Sequence, residues 1–298
     1  MDGVGDGRHP AGSGDEQPQD PRPAGPARRT RGLDVVVVRR LKRLQQRSVD
    51  RGGPQIIPRP GQWSPGRPAP WADLTDPGSA CTLERVASIL PVGHRGRPSP
   101  VSNEGGIPSA VLIALYDGDA GVEVVLTRRS WNLRTHRGEV SFPGGRSDPG
   151  ESPLTTALRE ADEEVALRPS TVRPLGELDH LTTITRRAYI VPVVGVVDGR
   201  PLLQPNTAEV DGILHVSLAE LLEPGVFREE RWGSGDLSRP IYFFELHGDT
   251  VWGATAAMLR QLLCRLTGVD RGEAVDDDPA RDLPPWVRPP GADDPGVF

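Results

Sequence analysis

The sequence predicts an α/β protein of the α+β type, in which a mixed β-sheet is flanked by helices. Segments that read as strands outnumber segments with helical spacing, and the two kinds are interspersed along the chain. A Gly/Asp turn at residues 118–121 joins two neighbouring strand-like segments, as is typical of a hairpin. Interspersed strands and helices favour a sheet that buries its apolar faces under helices.

The individual elements follow from the apolar periodicity. A helix is expected at residues 81–90, followed by the two hairpin strands at 109–117 and 121–129. The next helix is expected at residues 152–167. The remaining elements are strands at 173–181, 186–198, 209–218 and 241–246, a short helix at 217–222 and a final amphipathic helix at 255–266.

Composition limits the class of protein. The chain has 298 residues and a formal net charge of -6, which argues against a dedicated nucleic-acid binder. Its two cysteines, Cys81 and Cys264, cannot form a disulfide framework and are expected to be reduced thiols. No apolar run is long enough to span a bilayer, and the first residues lack the apolar core of a secretory signal. We therefore expect a soluble cytoplasmic protein without a transmembrane segment or a specific nucleic-acid partner.

Composition also changes along the chain. Residues 1–70 are basic and rich in Pro and Gly, and we expect them to be disordered because they offer little apolar surface to bury. Within them, the basic segment 33–47 is expected to dock weakly or not at all, although contact with nucleic acid or anionic lipid is the alternative. Residues 71–268 are expected to form the folded domain, and residues 269–298 an acidic, Pro-rich disordered tail.

The helix expected at residues 152–167 gathers carboxylates on one side. Ser152 is a good N-cap for it, and an apolar stripe predicts a buried face. Glu160, Glu163 and Glu164 fall together beside that stripe, at i, i+3 and i+4. Like charges at this spacing repel, and clustered oxygen ligands are what Mg²⁺ prefers, so the pattern favours a cation site. The alternative is an ordinary solvated face.

A glycine-rich loop precedes this helix. Gly144 and Gly145 can adopt backbone angles that other residues avoid, which would let a carbonyl face a ligand or metal. A simple tight turn is the alternative for two adjacent glycines. Together, Gly145, Glu151 and residues 159–167 resemble the Nudix box, G-x5-E-x7-R-E-U-x-E-E-x-G-U. Ala166 stands where that pattern has Gly.

The resemblance covers roughly residues 108–267 and implies the Nudix α/β/α sandwich, with a mixed sheet between helices. It also implies hydrolysis of a nucleoside diphosphate linked to another moiety, with Mg²⁺ or Mn²⁺ as cofactor. A second pattern, L-T-x-R-S-x3-R-x3-G-x3-F-P-G-G, is readable in residues 126–145. It resembles the signature of the coenzyme A pyrophosphatase branch of the family, and residues 251–259 resemble that branch's C-terminal helix region.

The family resemblance also implies roles for the carboxylates. Glu160 and Glu164 are expected to be direct metal ligands, and Glu163 a third ligand or the base that takes a proton from water. The Gly145 carbonyl is expected to complete the ligand set. Glu209 is a candidate further ligand or base, although an exposed glutamate at the start of a strand is the equal alternative.

Basic residues of the second pattern are candidate substrate contacts. Because Arg forks suit phosphate oxygens, we favour Arg129 and Arg134, with Arg128 and Arg137 as further members of the cluster. Neighbouring positions on a strand point to opposite faces, so the four cannot all reach one ligand. Phe142 is expected to be a packing residue of the substrate-binding region.

Other polar residues near the motif are expected to be structural. Arg159 and Glu151 would form an ion pair that braces the loop against the helix. His136 and His180 could be catalytic, but lone histidines are more often structural or exposed. The helix is expected to run on through Ala166, with activity retained.

The substrate implied by both patterns is coenzyme A or an acyl-CoA, cleaved to 3',5'-ADP and (acyl-)4'-phosphopantetheine. A Nudix hydrolase of ADP-ribose, NADH or a nucleoside triphosphate is the alternative enzyme. A Nudix-fold nucleotide sensor is the alternative from another class, although such proteins usually lack some of the box carboxylates. Whether the chain forms a homodimer is left open by the sequence.

Overall fold

The structure is a computed structural model of the chain, and it describes residues 51–100, 106–185, 187–235 and 238–269. The expectations for residues 1–50 and for the tail after residue 269, including the basic segment 33–47, lie outside the described residues.

In the described residues, runs of strands are separated by helices. The strands are β1 Trp63–Pro65, β2 Ile107–Gly118, β3 Gly121–Arg129, β4 Val140–Ser141, β5 Gly144–Arg146, β6 Val172–Glu177, β7 Leu181–Thr182, β8 Ala188–Val197, β9 Val210–Ser217, β10 Phe227–Trp232, β11 Arg239–Glu245 and β12 Thr250–Trp252. The helices are α1 Leu83–Ile89, α2 Pro153–Val165, α3 Leu218–Leu221 and α4 Gly253–Thr267, with short 3-10 turns at Pro77–Ala80 and Pro169–Thr171.

The larger sheet is mixed, as the sequence predicts. Its strand order is β4-β3-β2-β8-β6, and β5, β7 and β9 pair along β2, β8 and β3. The long pairing of β2 with β8 is parallel, whereas the other pairs of this sheet are antiparallel. A second, antiparallel sheet has the order β1-β10-β11-β12, and the sequence did not predict it as a separate layer.

Alternation along β2 builds the two apolar layers. Leu112 packs in a cluster with Ala161 of α2, whereas the next residue, Ile113, belongs to the cluster that includes Val86 of α1 and Leu259 of α4. Because successive strand residues point to opposite faces, β2 carries core on both sides. The larger sheet therefore lies between α2 and the helices α1 and α4, which is the α/β/α sandwich that the resemblance implies.

Several residues before residue 71, where the folded domain is expected to begin, pair with the second sheet. Strand β1 pairs with β10, with Trp63 opposite Trp232, and Gln55 is buried with only 7% of its surface exposed. The segment has few apolar side chains and is fixed by polar contacts to distant residues. Hydrophobic periodicity cannot detect such contacts, which is why the sequence indicated disorder for this segment.

The end of α2 is also different from the prediction. The helix ends at Val165, and Ala166 takes the left-handed conformation with φ 56° and ψ 31°. The chain turns there because Leu167 is buried in the cluster that contains Ala161 and Val165. A helix continuing through Ala166 is therefore wrong, and a residue with a β-carbon occupies a conformation that favours glycine.

Two further expectations can be compared with the structure. Cys81 and Cys264 are both buried and are not joined in a disulfide, as expected for reduced thiols. None of the helices in the described ranges combines the length and apolar character that a bilayer-spanning segment needs.

Candidate active site

The candidate site begins where the glycine loop meets α2. Strand β5 pairs with β2, with Gly145 opposite Ala110, so the loop is fixed on the sheet. Ser152 caps the following helix, and its Oγ accepts a hydrogen bond from the Thr155 N–H at 3.1 Å. Sheet pairing and the N-cap together set the position of α2 relative to the loop.

The glycines allow the helix to approach the loop closely. A β-carbon on Gly145 would lie 2.5 Å from the carboxyl carbon of Glu160, and one on Gly144 would lie 2.5 Å from the Ala110 carbonyl oxygen. No real side chain tolerates such distances. Glycine at position 145 therefore lets the Glu160 carboxylate lie directly against the main chain, and a β-carbon there would require that side chain to move.

Glu164 lies under the loop and is 9% exposed. Its Oε2 accepts a hydrogen bond from the Gly144 N–H at 3.3 Å. Burial raises the pKa of Glu164 to about 7, and the negative charges of Glu160 and Glu209 add to this effect, while the Gly144 hydrogen bond and Arg129 oppose it. Glu160, Glu209 and Arg129 are therefore each within electrostatic reach of Glu164.

Glu160 shares this environment. Burial raises its pKa above the usual range, Arg159 opposes that rise, and the charges of Glu163 and Glu209 add to it. Glu209 itself is exposed at the start of β9. The structure thus brings Glu209 to the predicted box glutamates, across a sequence separation of more than forty residues.

Arg159 connects most of the motif. Its Nε donates to Glu151 Oε1 at 2.9 Å, and this is the ion pair that the resemblance implies. Its Nη1 also donates to Glu160 Oε1 at 2.9 Å and to Glu163 Oε2 at 3.2 Å. The contacts to Glu160 and Glu163 were not expected from the sequence, which indicated only a brace between loop and helix.

The loop before β9 closes the other end of the site. The Asn206 N–H donates to the carbonyl of Glu164 at 2.8 Å, and the Ser130 N–H donates to the carbonyl of Glu209 at 2.7 Å. These main-chain bonds hold Glu209 beside both the end of α2 and the start of the β3–β4 loop. Sequence reasoning missed Asn206, because its contact to the helix leaves no local pattern.

The donor chemistry fits a hard divalent cation. Carboxylate and main-chain carbonyl oxygens, which this loop and helix provide, are the ligands that Mg²⁺ and Mn²⁺ prefer. In the described part of the chain, however, no three His, Cys, Asp or Glu side chains are gathered closely enough to hold an ion as they stand. Arg159 binds two of the carboxylates concerned, those of Glu160 and Glu163.

The arginines of the second pattern have different surroundings. Arg128 forms ion pairs with Asp211 and Asp249, each at 3.1 Å, so its guanidinium is already paired with carboxylates of the protein. Arg129 is half-buried, and its Nε donates to the Thr135 carbonyl at 3.3 Å.

Arg134 and Arg137 are exposed in the β3–β4 loop, and Arg137 donates to the carbonyl of Leu133. Phe142 is 1% exposed and belongs to the core cluster that includes Leu126, so it packs inside the protein.

Each histidine has a carboxylate partner that is not one of the predicted site residues. His136 is exposed, and its Nδ1 lies 2.8 Å from Glu139 Oε2. His180 lies between Tyr189, 2.7 Å from Nδ1, and Glu177, 3.1 Å from Nε2. His180 also lines a cavity of about 390 Å³ beside α4, whose lining includes none of the box glutamates.

The chain is similar to known proteins over the segment that carries this loop and helix. Residues 106–234 match the model of the NUDIX domain. The chain is 39% identical over 140 residues to a protein of Yersinia enterocolitica that is named uncharacterized Nudix hydrolase NudL. The matched segment is 47% of this chain and 71% of that protein. The protein of the same name from Yersinia pestis is 36% identical over 140 residues, 47% of this chain and 70% of its own length.

A solved structure of a MutT/nudix family protein from Enterococcus faecalis has a TM-score of 0.39 and 17% identity, and the match covers 55% of this chain and 62% of that one. That likeness is too partial to add to the assignment.

The fold and the glutamate-bearing helix define a hydrolase of phosphoric anhydride bonds. The sequence relatives show that the chain belongs to the Nudix hydrolase family. Members of this family act on small nucleotide substrates and generally use divalent cations such as Mg²⁺ or Mn²⁺.

Proposed function

We propose that the chain is a divalent-cation-dependent pyrophosphohydrolase that cleaves coenzyme A or acyl-CoA. The products are 3',5'-ADP and 4'-phosphopantetheine or its acylated form. One observation carries the hydrolase part of the proposal: the Glu160 and Glu164 carboxylates lie against the Gly144–Gly145 main chain. The coenzyme A part is supported by the second sequence pattern, residues 126–145, which is continuous with this glycine loop.

Four groups are proposed to hold the cation. These are the carboxylates of Glu160 and Glu164, the Gly145 carbonyl and, as a further ligand, either Glu163 or Glu209. When bound, Mg²⁺ or Mn²⁺ would neutralise charge on the diphosphate and lower the pKa of a bound water. The exposed carboxylate of Glu163 is bonded to Arg159.

We assign the role of the general base, which accepts a proton from water, to one of the site glutamates. Glu163, Glu164 and Glu160 are the candidates from the motif, and Glu209 is the candidate from β9. Glu164 is held by the Gly144 N–H, which favours a ligand role for it. Glu163 and Glu209 are more exposed and can reach solvent, so they are the better candidates for the base.

Substrate phosphates are proposed to bind Arg129 and Arg134. The charge of Arg129 acts to lower the pKa of Glu164, which supports a position for the arginine near the proposed cation site. Arg134 is exposed in the β3–β4 loop that follows Arg129, and Arg137 is a further candidate. Arg128 is better assigned to the protein's own structure, because Asp211 and Asp249 already bind it.

The folded hydrolase domain is proposed to span residues 51–269, since β1 and the residues before it pair with β10 and with the β11–β12 turn. This places its start about twenty residues earlier than the apolar pattern predicts.

A substrate panel tests the proposed activity. Purified protein is incubated with Mg²⁺ and, in separate reactions, coenzyme A, an acyl-CoA, NADH, ADP-ribose and a nucleoside triphosphate. We expect 3',5'-ADP from the first two, detected by chromatography, and no product when EDTA is present. Cleavage of another nucleotide without release of 3',5'-ADP would contradict the coenzyme A substrate but not the hydrolase. Nucleotide binding without any cleavage would instead indicate a sensor.

The assignment of the glutamates is tested with the double variant Glu163→Gln, Glu164→Gln. Losing two carboxylates from the site is expected to lower kcat by about 1000-fold or more, as for loss of electrostatic groups in other active sites. The exposed Asp162, on the same helix, provides the control variant Asp162→Asn, which should retain activity. Persistent turnover by the double variant would contradict the assignment.

A further inference from the structure

The residues before β1 form a segment that packs on the second sheet. We call residues 51–57 the N-terminal strap; they lie outside residues 106–234, which match the NUDIX domain. The Gly52 N–H donates to the carbonyl of Leu246 at 2.7 Å, and the Gly53 N–H donates to Thr250 Oγ1 at 3.1 Å. The strap is thus attached to the turn between β11 and β12 by its main chain.

Gln55 is the buried polar residue of the strap. Its Nε2 donates to Asp249 Oδ1 at 2.8 Å and to the Gly138 carbonyl at 3.0 Å, and its Oε1 accepts from the Thr250 N–H at 2.9 Å. Both amide protons and the amide oxygen are therefore used. Because a buried amide is costly unless its groups are bonded, this geometry fixes the side chain in one orientation.

Gly138 is the point where the strap reaches the candidate site. It lies near the end of the signature loop, residues 130–139, which joins β3 to β4. Its N–H donates to the carbonyl of Arg129 at 3.0 Å, and a β-carbon on it would lie 2.2 Å from the Trp131 ring. Gly138 is thus held by Arg129 through its N–H, by Trp131 through packing and by Gln55 through its carbonyl.

Asp249 ties the strap to the other end of the same loop. Besides Gln55, it accepts from Arg128 Nη1, at 3.1 Å to Oδ2 and 3.2 Å to Oδ1. Arg128 lies in β3, two residues before the loop begins. One carboxylate, buried in the β11–β12 turn, therefore holds the start of the loop through Arg128 and its end through Gln55.

We infer that Gln55 is a positioning residue for the substrate-binding arginines. By bonding the Gly138 carbonyl, it holds the signature loop in the conformation that places Arg129 and Arg134 for substrate phosphate. The inference rests on the proposed function in one respect, namely that these two arginines contact the substrate. The residue touches neither the substrate nor the box glutamates, so its effect is on binding and not on the chemical step.

The test compares Gln55→Ala and Gln55→Glu with the matched control Gln62→Ala, whose side chain is exposed just before β1. Gln55→Glu keeps the side-chain volume but places a carboxylate beside Asp249 and the Gly138 carbonyl, so a cavity is not the cause of its effect. Two quantities are measured on the full chain: steady-state kcat and KM with Mg²⁺ and coenzyme A, and amide hydrogen exchange of peptides covering residues 130–139 and 153–165.

Both Gln55 variants are expected to raise KM about tenfold while kcat stays within about twofold, as for the loss of one or two hydrogen bonds that act on binding. In both Gln55 variants, amide hydrogen exchange is expected to become faster in residues 130–139 and to stay unchanged in residues 153–165. The Gln62→Ala variant is expected to show the wild-type exchange in both segments. Unchanged loop exchange, an unchanged KM, or faster exchange throughout the domain would each overturn the inference. A wild-type protein that leaves coenzyme A intact would instead contradict the proposed function, and the exchange measurement would still decide whether Gln55 holds the loop.

Discussion

Gly145 shows how a missing side chain contributes to the site. The Glu160 carboxylate occupies the space that a β-carbon on Gly145 would take, with its carboxyl carbon 2.5 Å from that position. The helix carboxylate and the loop main chain can therefore contact the same small ligand. Arg159 adds a second constraint, since it holds Glu160 and Glu163 as well as Glu151.

Gly145→Ala is expected to displace the Glu160 carboxylate and to lower kcat by about 100-fold, the effect of misplacing a catalytic group by roughly 1 Å. Steady-state kinetics with the cleaved substrate would measure it. Gly61→Ala is the matched control, because a β-carbon on Gly61 meets no atom within 4 Å. Equal kcat values for the two variants would contradict the role of Gly145.

Glu151→Gln is expected to change the acid stability of the domain. Hydrogen bonding from Arg159 lowers the pKa of Glu151 from 4.5 to about 2. A carboxylate whose folded pKa is depressed stabilises the fold above its unfolded pKa, and the effect is lost as the pH falls towards the folded value. The variant should therefore be less stable than wild type at pH 7, and the difference should shrink between pH 4.5 and pH 2. Urea unfolding across this range would measure it, and a difference independent of pH would contradict the ion pair.

At the scale of the element, α2 is set by its two ends. Ser152 caps its start through a side-chain hydrogen bond, and Ala166 ends it in a left-handed conformation. The first feature follows a sequence rule, whereas the second breaks one, because Gly would normally stand there. The turn at Ala166 returns Leu167 to the core beside the buried face of the helix.

Ala166→Gly is expected to stabilise the domain by about 1 kcal/mol, because it removes the cost of a β-carbon in the left-handed region. Urea unfolding would measure the gain, and turnover should be retained. Ala72→Gly, at an exposed position without a positive φ, should give no gain and serves as the control. A variant less stable than wild type would mean that the strain at Ala166 is small compared with the entropy that Gly adds to the unfolded chain.

On the scale of the entire fold, the second sheet connects the N-terminal strap to the signature loop of the candidate site. Strand β1 lies at one edge of that sheet and β12 at the other, while Asp249, just before β12, bonds both Gln55 and Arg128. Arg59, between the strap and β1, also binds the buried Glu230 of β10. Residues outside the family match therefore contribute to the stability of the folded domain.

A chain lacking residues 1–70 is expected to be less stable than one lacking residues 1–50. The difference should be about 2 kcal/mol or more, because Gln55 alone makes buried hydrogen bonds worth about 1 kcal/mol each. Comparing the two truncations isolates the contribution of residues 51–70, and thermal or urea unfolding would measure it. Equal stabilities would show that the strap and β1 are dispensable for the fold.

The elements with local signals could be predicted from the amino-acid sequence alone. The hairpin of β2 and β3, the helix α2 with its N-cap, and the spacing from Gly145 to Glu164 all depend on residues close together in the chain. The same short-range pattern was enough to indicate the family and to single out Glu160 and Glu164. Periodicity and spacing work here because side chains three or four apart on a helix, or two apart on a strand, share a face.

The contacts between distant segments became visible only in the folded protein. It placed Glu209 beside Glu164, bound Arg128 to Asp249 and brought Gln55 to the Gly138 carbonyl. It also made Ala166 end the helix, because the burial of Leu167 outweighed the cost of the left-handed turn. Such outcomes depend on burial and hydrogen bonding summed over the whole fold, and a single polar residue in a Pro/Gly-rich segment carries no local sign of the partner it will meet.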